Sequence, residues 1–378
     1  MSAIPSTRSR PRTRPMIHNI QALRFVAAFL VVMHHTLPPN IHPAHYASIP
    51  AWFTEISRYG FAGVDIFFVI SGFIMAQTTR GLQPGLASGM RFTLRRFLRI
   101  YTGYWPAFFL TLGLSIWLGI FQGPEISRLG SFLLLPQQHY LLNVSWTLSY
   151  ELYFYLLVGL MLCLTRRHAA LVMGLLFVAL AVFVLLAHRA GMYLPQHYDG
   201  LAFLPQVFLT SPLVLEFLAG FLLSEYLHRF PRQPVLPWLL LTLCAIAASV
   251  WYQKWGGLQG VGMAAFLYYP ERVLCFGTAS LGLVALAAIL PAGRHWLLRG
   301  MQRLGDASYA LYLLHIPLLV ILYGLWFPKI PGLLWIAGGK LSLLSYLLLC
   351  IAAAWLYHRW IERPLHRWTQ RLLPTQSA

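Results

Sequence analysis

Ten stretches of this chain are each about 20 residues long and nearly all apolar, and that repetition narrows what it can fold into. They lie near 18–38, 60–78, 100–121, 146–165, 169–188, 207–227, 234–253, 272–291, 307–326 and 334–357. A helix of roughly 20 apolar residues matches the hydrocarbon core of a bilayer, so each run reads as a membrane-spanning helix. Composition agrees: 58% of residues are hydrophobic, only 10% are charged and the mean hydropathy is +0.63, far from a soluble balance. The expected fold class is all-α, a polytopic integral membrane protein with about ten transmembrane helices.

Several runs carry interior glycine or proline (Gly113, Gly159, Pro212, Gly220, Gly277, Pro317), which packed helices in lipid tolerate. The first run is long and is followed by His34, His35 and two prolines rather than a small-residue cleavage site, so it is expected to be retained and not removed as a signal peptide. The organisation expected is a basic tail over 1–17, a membrane domain over 18–358 and a C-terminal tail over 359–378. Loops between runs leave no room for a soluble catalytic domain of typical size, so any active site must be made by the helices. Cys163, Cys244, Cys275 and Cys350 lie within apolar runs without CxxC spacing and read as small hydrophobes, not metal ligands or disulfides.

Lysine and arginine set the orientation. With the N-terminus cytoplasmic, the inner segments hold 20 of the 28 cationic residues; the outer ones hold Arg58, Arg128, Arg189, Lys254, Arg272, Lys329 and Lys340, and Arg24 lies within the first run. The asymmetry puts both termini in the cytoplasm. It also accounts for the net charge of +18 as topology and attraction to anionic membrane lipids. No basic groove interleaved with aromatics is present, so nucleic acid is not an expected partner.

Ionisable residues inside lipid are costly and mark functional sites. In "LRFVAAFLVVMHH", Arg24 and His35 are eleven residues apart, about three helical turns, on nearly the same face and roughly 16 Å apart along the axis. A snorkelling arginine or an interfacial histidine would explain either alone. Their shared face argues for one cavity with a cation near its inner mouth and a base further out. Asp65, in "YGFAGVDIFFVISGF", falls early in an inward-running helix, at about the depth expected for His35. A carboxylate there would fix the imidazole tautomer and raise its basicity; it could equally be a helix N-terminal carboxylate. Glu151, in "NVSWTLSYELYFY", falls in the outer half and reads as a functional or a structural hydrogen-bonding group. Glu216 and His315 lie nearer mid-membrane, where packing or relay stands beside chemistry. Gly60, Gly63 and Gly72 suit close helix approach. Ahead of the third run, "RFTLRRFLRIYTGYWP" aligns Arg91, Arg95 and Arg99 at helical spacing, with Arg96 beside Arg99. Guanidinium forks suit phosphate oxygens, although the positive-inside rule alone would also place cations there.

The segments "IQALRFVAAFLVVMHH", "GFAGVDIFFVISGFIM", "RRFLRIYTGYW", "SWTLSYELYFY" and "SYALYLLHIP" stand in the order and spacing of the acyltransferase family 3 membrane proteins, and the chain most resembles the branch that acylates bacterial exopolysaccharides. The resemblance implies transfer of an acyl group, commonly acetyl, from cytoplasmic acyl-CoA to a hydroxyl of a cell-surface polysaccharide or lipid-linked sugar, in the bacterial inner membrane. It implies acyl-CoA as co-substrate with no metal and no resident cofactor. By the same resemblance Arg24, Arg96 and Arg99 bind the CoA phosphates at the inner face. His35 is the catalytic base oriented by Asp65, and Glu151 supports it or positions the acceptor. Glu216 and His315, read from their mid-membrane positions and not from the resemblance, stand as possible supporting residues. Some relatives add an extracytoplasmic hydrolase-like domain, which a partner would supply here. A transporter or flippase of lipid-linked sugars, with the same charges lining its path, is the alternative.

Overall fold

The computed structural model describes residues 18–36, 49–191 apart from 122, 125 and 138, 208–256, 269–322 apart from 294, and 338–372. The basic N-terminal tail lies outside these. Each apolar run is a helix: α1 His18–Thr36, α3 Ala62–Thr79, α4 Leu86–Leu118, α6 Trp146–Leu164, α7 Ala169–Arg189, α8 Val214–Arg229, α9 Val235–Trp255, α10 Pro270–Ile289, α12 Ser308–Val320 and α13 Gly338–Tyr357. Shorter helices, α2 Ala51–Arg58, α5 Arg128–Leu133 and α11 Trp296–Gly305, join them. Among the described residues six helical segments (Ala62–Thr79, Asn143–Leu164, Ala169–Arg189, Val235–Trp255, Pro270–Ile289 and Leu343–Arg371) meet both the length and the hydropathy of a membrane span on their own. Among the described residues the β pairing is confined to an isolated bridge between Ile126 and His139. The protein is an all-α polytopic membrane protein.

Helix α3 is the hub, mostly buried, whereas α7 and α9 expose most of their surface. On α7 the apolar stripe Leu171, Leu175, Val178, Val182 and Leu186 faces outward, as a lipid-facing helix requires. Charged loops sort to two ends. At one end Glu225 at the close of α8 pairs with Arg166 (2.9 Å) and Arg80 (3.3 Å). Arg166 also donates to the carbonyl of Thr79, and Asn19 at the start of α1 donates to Leu290 beyond α10. At the other, Glu271 pairs with His188 (3.0 Å), and His34 at the close of α1 bonds the carbonyl of Ser57. The charge rule assigned Arg80 and Arg166 to one side and Arg58, Arg189 and Arg272 to the opposite one, and the folded chain keeps that separation.

Close packing depends on glycine where α3 meets its neighbours. A Cβ at Gly63 would strike the carbonyl of Ala27 on α1, one at Gly72 the carbonyl of Phe217 on α8, and one at Gly220 the carbonyl of Val69. Backbones at such contact gain dispersion energy that lipid cannot replace. Gly72→Leu should therefore cost more than the ~1–3 kcal/mol of ordinary overpacking and remove the monodisperse peak in size-exclusion chromatography. Gly113→Leu is the internal control, since open space surrounds Gly113.

Two features depart from the sequence reading. Residues 359–372 do not leave the bundle as a tail; residues 373–378 of the expected tail lie outside the described residues. The chain continues through a π-helical turn, His358–Glu362, into α14, Arg363–Leu372, which packs along α4. The segment before α6 also folds back into the bundle. The hydroxyl of Tyr104 donates to Ser131 (2.6 Å) and that of Tyr101 to Leu133 (2.7 Å), although α4 continues to Leu118, about 20 Å further at 1.5 Å per residue.

Candidate active site

That folded-back segment decides where Glu151 lies. Because α6 starts within the bundle, Glu151 is not in the outer half beside His35. It lines a cavity of about 100 Å³ with Arg24, Arg96, Arg99, Ser71, Tyr155, Tyr309 and Tyr312. Tyr155 donates to its carboxylate (3.3 Å), and Arg24 and Arg99 are near enough to interact with its charge. Three guanidinium groups from two helices thus share one cavity with one carboxylate, an excess of positive charge that suits a phosphorylated anion. On its inner side Arg96 and Arg99 also line a second cavity of about 260 Å³, with Arg95, Phe92, Thr78, Leu82, His366 and Gln370. The arginine pair is the wall common to both.

On the outer side Val64, Phe67 and Tyr312 close the first cavity; the rings of Phe67 and Tyr312 stand 5.9 Å apart. Tyr312 is held by Thr147 (2.9 Å) and by the carbonyl of Val144 (2.8 Å), so the folded-back segment fixes this partition too. Behind it, 6.0 Å from the Tyr312 ring, lies His315, fully buried. His315 Nε2 is 3.3 Å from His35 Nδ1. His35 Nδ1 also lies 2.9 Å from the carbonyl of Val31, and His315 Nδ1 lies 3.3 Å from that of Leu311. One assignment satisfies all of these: both rings carry hydrogen on Nδ1, each donates to its own helix, and His315 Nε2 accepts a share of the His35 Nδ1–H. This leaves the His35 Nε2 lone pair unspent, the state a general base needs.

Asp65 is not the partner of His35. The contacts of Gly60 with Leu30 and of Gly63 with Ala27 set the antiparallel register of α1 and α3, which brings residue 65 level with about residues 25 to 27. His35 is about eight to ten residues, or ~12–15 Å, further out. Asp65 instead accepts from the Arg272 guanidinium at 2.8 Å, with both side chains buried, and Arg272 lies over the Phe61 ring. Glu216 abuts the same pair and the backbone of Gly277, within a π-helical turn, Val273–Gly277. The carboxylates expected on either side of the base therefore divide: Glu151 lies with the arginines, while Asp65 and Glu216 lie around Arg272. Arg272 was counted from the sequence only as an outer loop charge, yet it heads an apolar run, the same signal that singled out Arg24.

The fold and this site define a multi-pass membrane protein with a cationic cavity inside the helical bundle and a histidine pair beyond it. The family model described as an acyltransferase domain, that of acyltransferase family 3, matches residues 17–359, and the chain belongs to that family. It is 28% identical over 367 residues to a protein of Komagataeibacter xylinus that carries the name membrane-bound transacylase BcsY, covering 87% of this chain and 81% of that one. It is 26% identical over 280 residues to the exopolysaccharide production protein ExoZ of Rhizobium meliloti (strain 1021), covering 68% and 75%. No solved structure matches at a significant level.

Proposed function

We propose that this protein is an acyl-CoA-dependent O-acyltransferase of the bacterial inner membrane, with both termini cytoplasmic, that moves an acyl group, commonly acetyl, to a hydroxyl of a cell-surface polysaccharide or lipid-linked sugar. The observation that carries this is the alignment of a three-arginine cavity with a histidine pair along one helix, α1, between opposite ends of the bundle. The relatives named for transacylation and for exopolysaccharide production point the same way.

Arg24, Arg96 and Arg99 hold the phosphates of acyl-CoA on the cytoplasmic side. The pantetheine arm extends outward past Phe67 and Tyr312 and presents the thioester to His35. His35 Nε2 takes the proton of the sugar hydroxyl as that oxygen attacks the thioester carbonyl. The C–S bond then breaks, and the proton passes to the departing thiolate to give free CoA. The Val31 carbonyl and His315 Nε2, rather than Asp65, hold the His35 tautomer. Glu151 spaces the guanidinium groups and limits their mutual repulsion. A thioester is already activated, so no covalent acyl-enzyme is required.

Arg96→Gln and Arg99→Gln each remove a charged contact to phosphate, worth roughly 1.5 to 3 kcal/mol. At about 1.4 kcal/mol per tenfold, the apparent KM for acyl-CoA should rise on the order of ten- to a hundredfold, with kcat recovered at saturating donor. A fall in kcat that extra donor cannot restore would remove these arginines from the donor site. The proposal as a whole is tested by mass spectrometry of surface glycan from a strain lacking this chain. Loss of an acyl mass from an otherwise intact glycan is expected; an unaltered acylation pattern would overturn it.

A further inference from the structure

The cavity on the cytoplasmic side of the arginine pair contains residues that the transfer chemistry does not use, and they come from a helix outside the apolar core. His366 and Gln370 lie one turn apart on α14 and face Thr78 and Leu82 at the end of α3 and Phe92 and Arg95 on α4. Their placement is built into the fold. Tyr357 donates to the carbonyl of Gly103 (2.6 Å) and Tyr309 to that of Ile100 (2.9 Å), so α13 and α12 are fixed against α4. The π-helical turn that follows, closed by a His358–Glu362 contact at 2.9 Å, inserts an extra residue and turns the face of α14 by about 100°. Such turns recur at functional sites.

We infer that this cavity is the subsite for the nucleotide end of the donor, with His366 and Gln370 of α14 contacting the base and ribose while Arg95 adds to Arg24, Arg96 and Arg99 in holding the phosphates. The inference rests on the acyl-CoA reading above and extends it to a separate part of the molecule. Four observations support it. Three guanidinium groups line one wall, the chemistry for a di- or bisphosphate. His366 Nδ1 is buried without a hydrogen-bond partner, and buried polar atoms left this way are awaiting one. Phe92 and Leu82 offer apolar surface to a purine face beside these polar groups. The volume of about 260 Å³ sits near the ~300 Å³ lower bound of ligand sites. It suits one part of coenzyme A, with the narrower cavity beyond Arg96 and Arg99 left for the thin arm.

The test uses the full chain in neutral detergent and adenosine 3′,5′-bisphosphate, the nucleotide fragment of coenzyme A, with affinity read by calorimetry. The wild type should bind it, and His366→Leu/Gln370→Leu should weaken binding about tenfold or more. His35→Ala should bind it like the wild type. In transfer assays the wild type's preference in kcat/KM for acetyl-CoA over S-acetyl-4′-phosphopantetheine should fall toward unity in the double variant. Gln370→Ala alone, near the end of α14, guards against loss of folding and should show the same trend. Equal loss with both donors, unaltered binding of the nucleotide, or its displacement by phosphatidylglycerol would overturn the inference, the last in favour of a lipid-headgroup site. If the nucleotide binds through His366 and Gln370 while no acyl-CoA supports transfer, the subsite stands and the acyltransferase proposal fails.

Discussion

Replacing His35 by alanine should abolish acyl transfer while the protein remains folded and inserted. A positioned general base contributes on the order of 10²- to 10⁴-fold, and His35 is the histidine whose Nε2 is left free by its hydrogen bonds. His34 is adjacent in sequence, but its ring points elsewhere, bonding the carbonyl of Ser57 at 3.0 Å and meeting Phe61 edge-on. His34→Ala forfeits one hydrogen bond, about 1 kcal/mol, and should keep substantial activity. His315 adds a finer test. His315→Gln can still offer an acceptor to the His35 Nδ1–H, whereas His315→Leu cannot. Turnover should therefore fall further in His315→Leu, with KM for the donor little altered in either. Equal loss in His34→Ala and His35→Ala would make the pair a structural element and remove the base from this account.

Arg272→Met should be the most damaging single substitution for stability. It leaves the buried Asp65 carboxylate without the guanidinium that pairs with it, beside a second buried carboxyl group, that of Glu216. Removing one partner of a buried pair costs about 3–5 kcal/mol, a large share of the ~5–15 kcal/mol that holds a typical protein folded. Asp65→Asn should cost less, because Glu216 remains beside the guanidinium. Thermal unfolding in detergent should rank the wild type above Asp65→Asn and Asp65→Asn above Arg272→Met, with little or no folded Arg272→Met recovered. An Asp65→Asn variant as stable as the wild type but slow at every donor concentration would return Asp65 to the side of His35.

The ten helices were legible in the sequence because burial in lipid is written locally: each needs only its own run of apolar residues. The family's motifs likewise brought Arg24, Arg96 and Arg99 to a common cavity, since each lies in the N-terminal half of its helix. Depth and partnership were harder to read. Asp65 was paired with His35 by counting residues from the helix ends, whereas the actual register of α1 and α3 is set by Gly60 and Gly63 against Leu30 and Ala27, a contact no linear pattern displays. Glu151 was placed too far out because the re-entry of the chain at Ser131 and Leu133 depends on tyrosine hydroxyls from another helix. The role of α14 was hidden because an amphipathic basic segment after the last apolar run looks the same whether it is a free tail or the floor of a cavity.

The central claim is that acyl transfer from a thioester occurs within this helical bundle, and one measurement addresses it directly. Purified protein in proteoliposomes is given acetyl-CoA labelled in the acetyl group, together with surface polysaccharide or lipid-linked sugar from a strain lacking this chain, and free CoA thiol and labelled glycan are followed together. The account predicts one CoA released for each acetyl group appearing on the glycan, slow CoA release when the acceptor is omitted, and neither product with His35→Ala. Movement of the lipid-linked sugar across the bilayer with no CoA released, and no label on the glycan, would contradict it and identify a transporter.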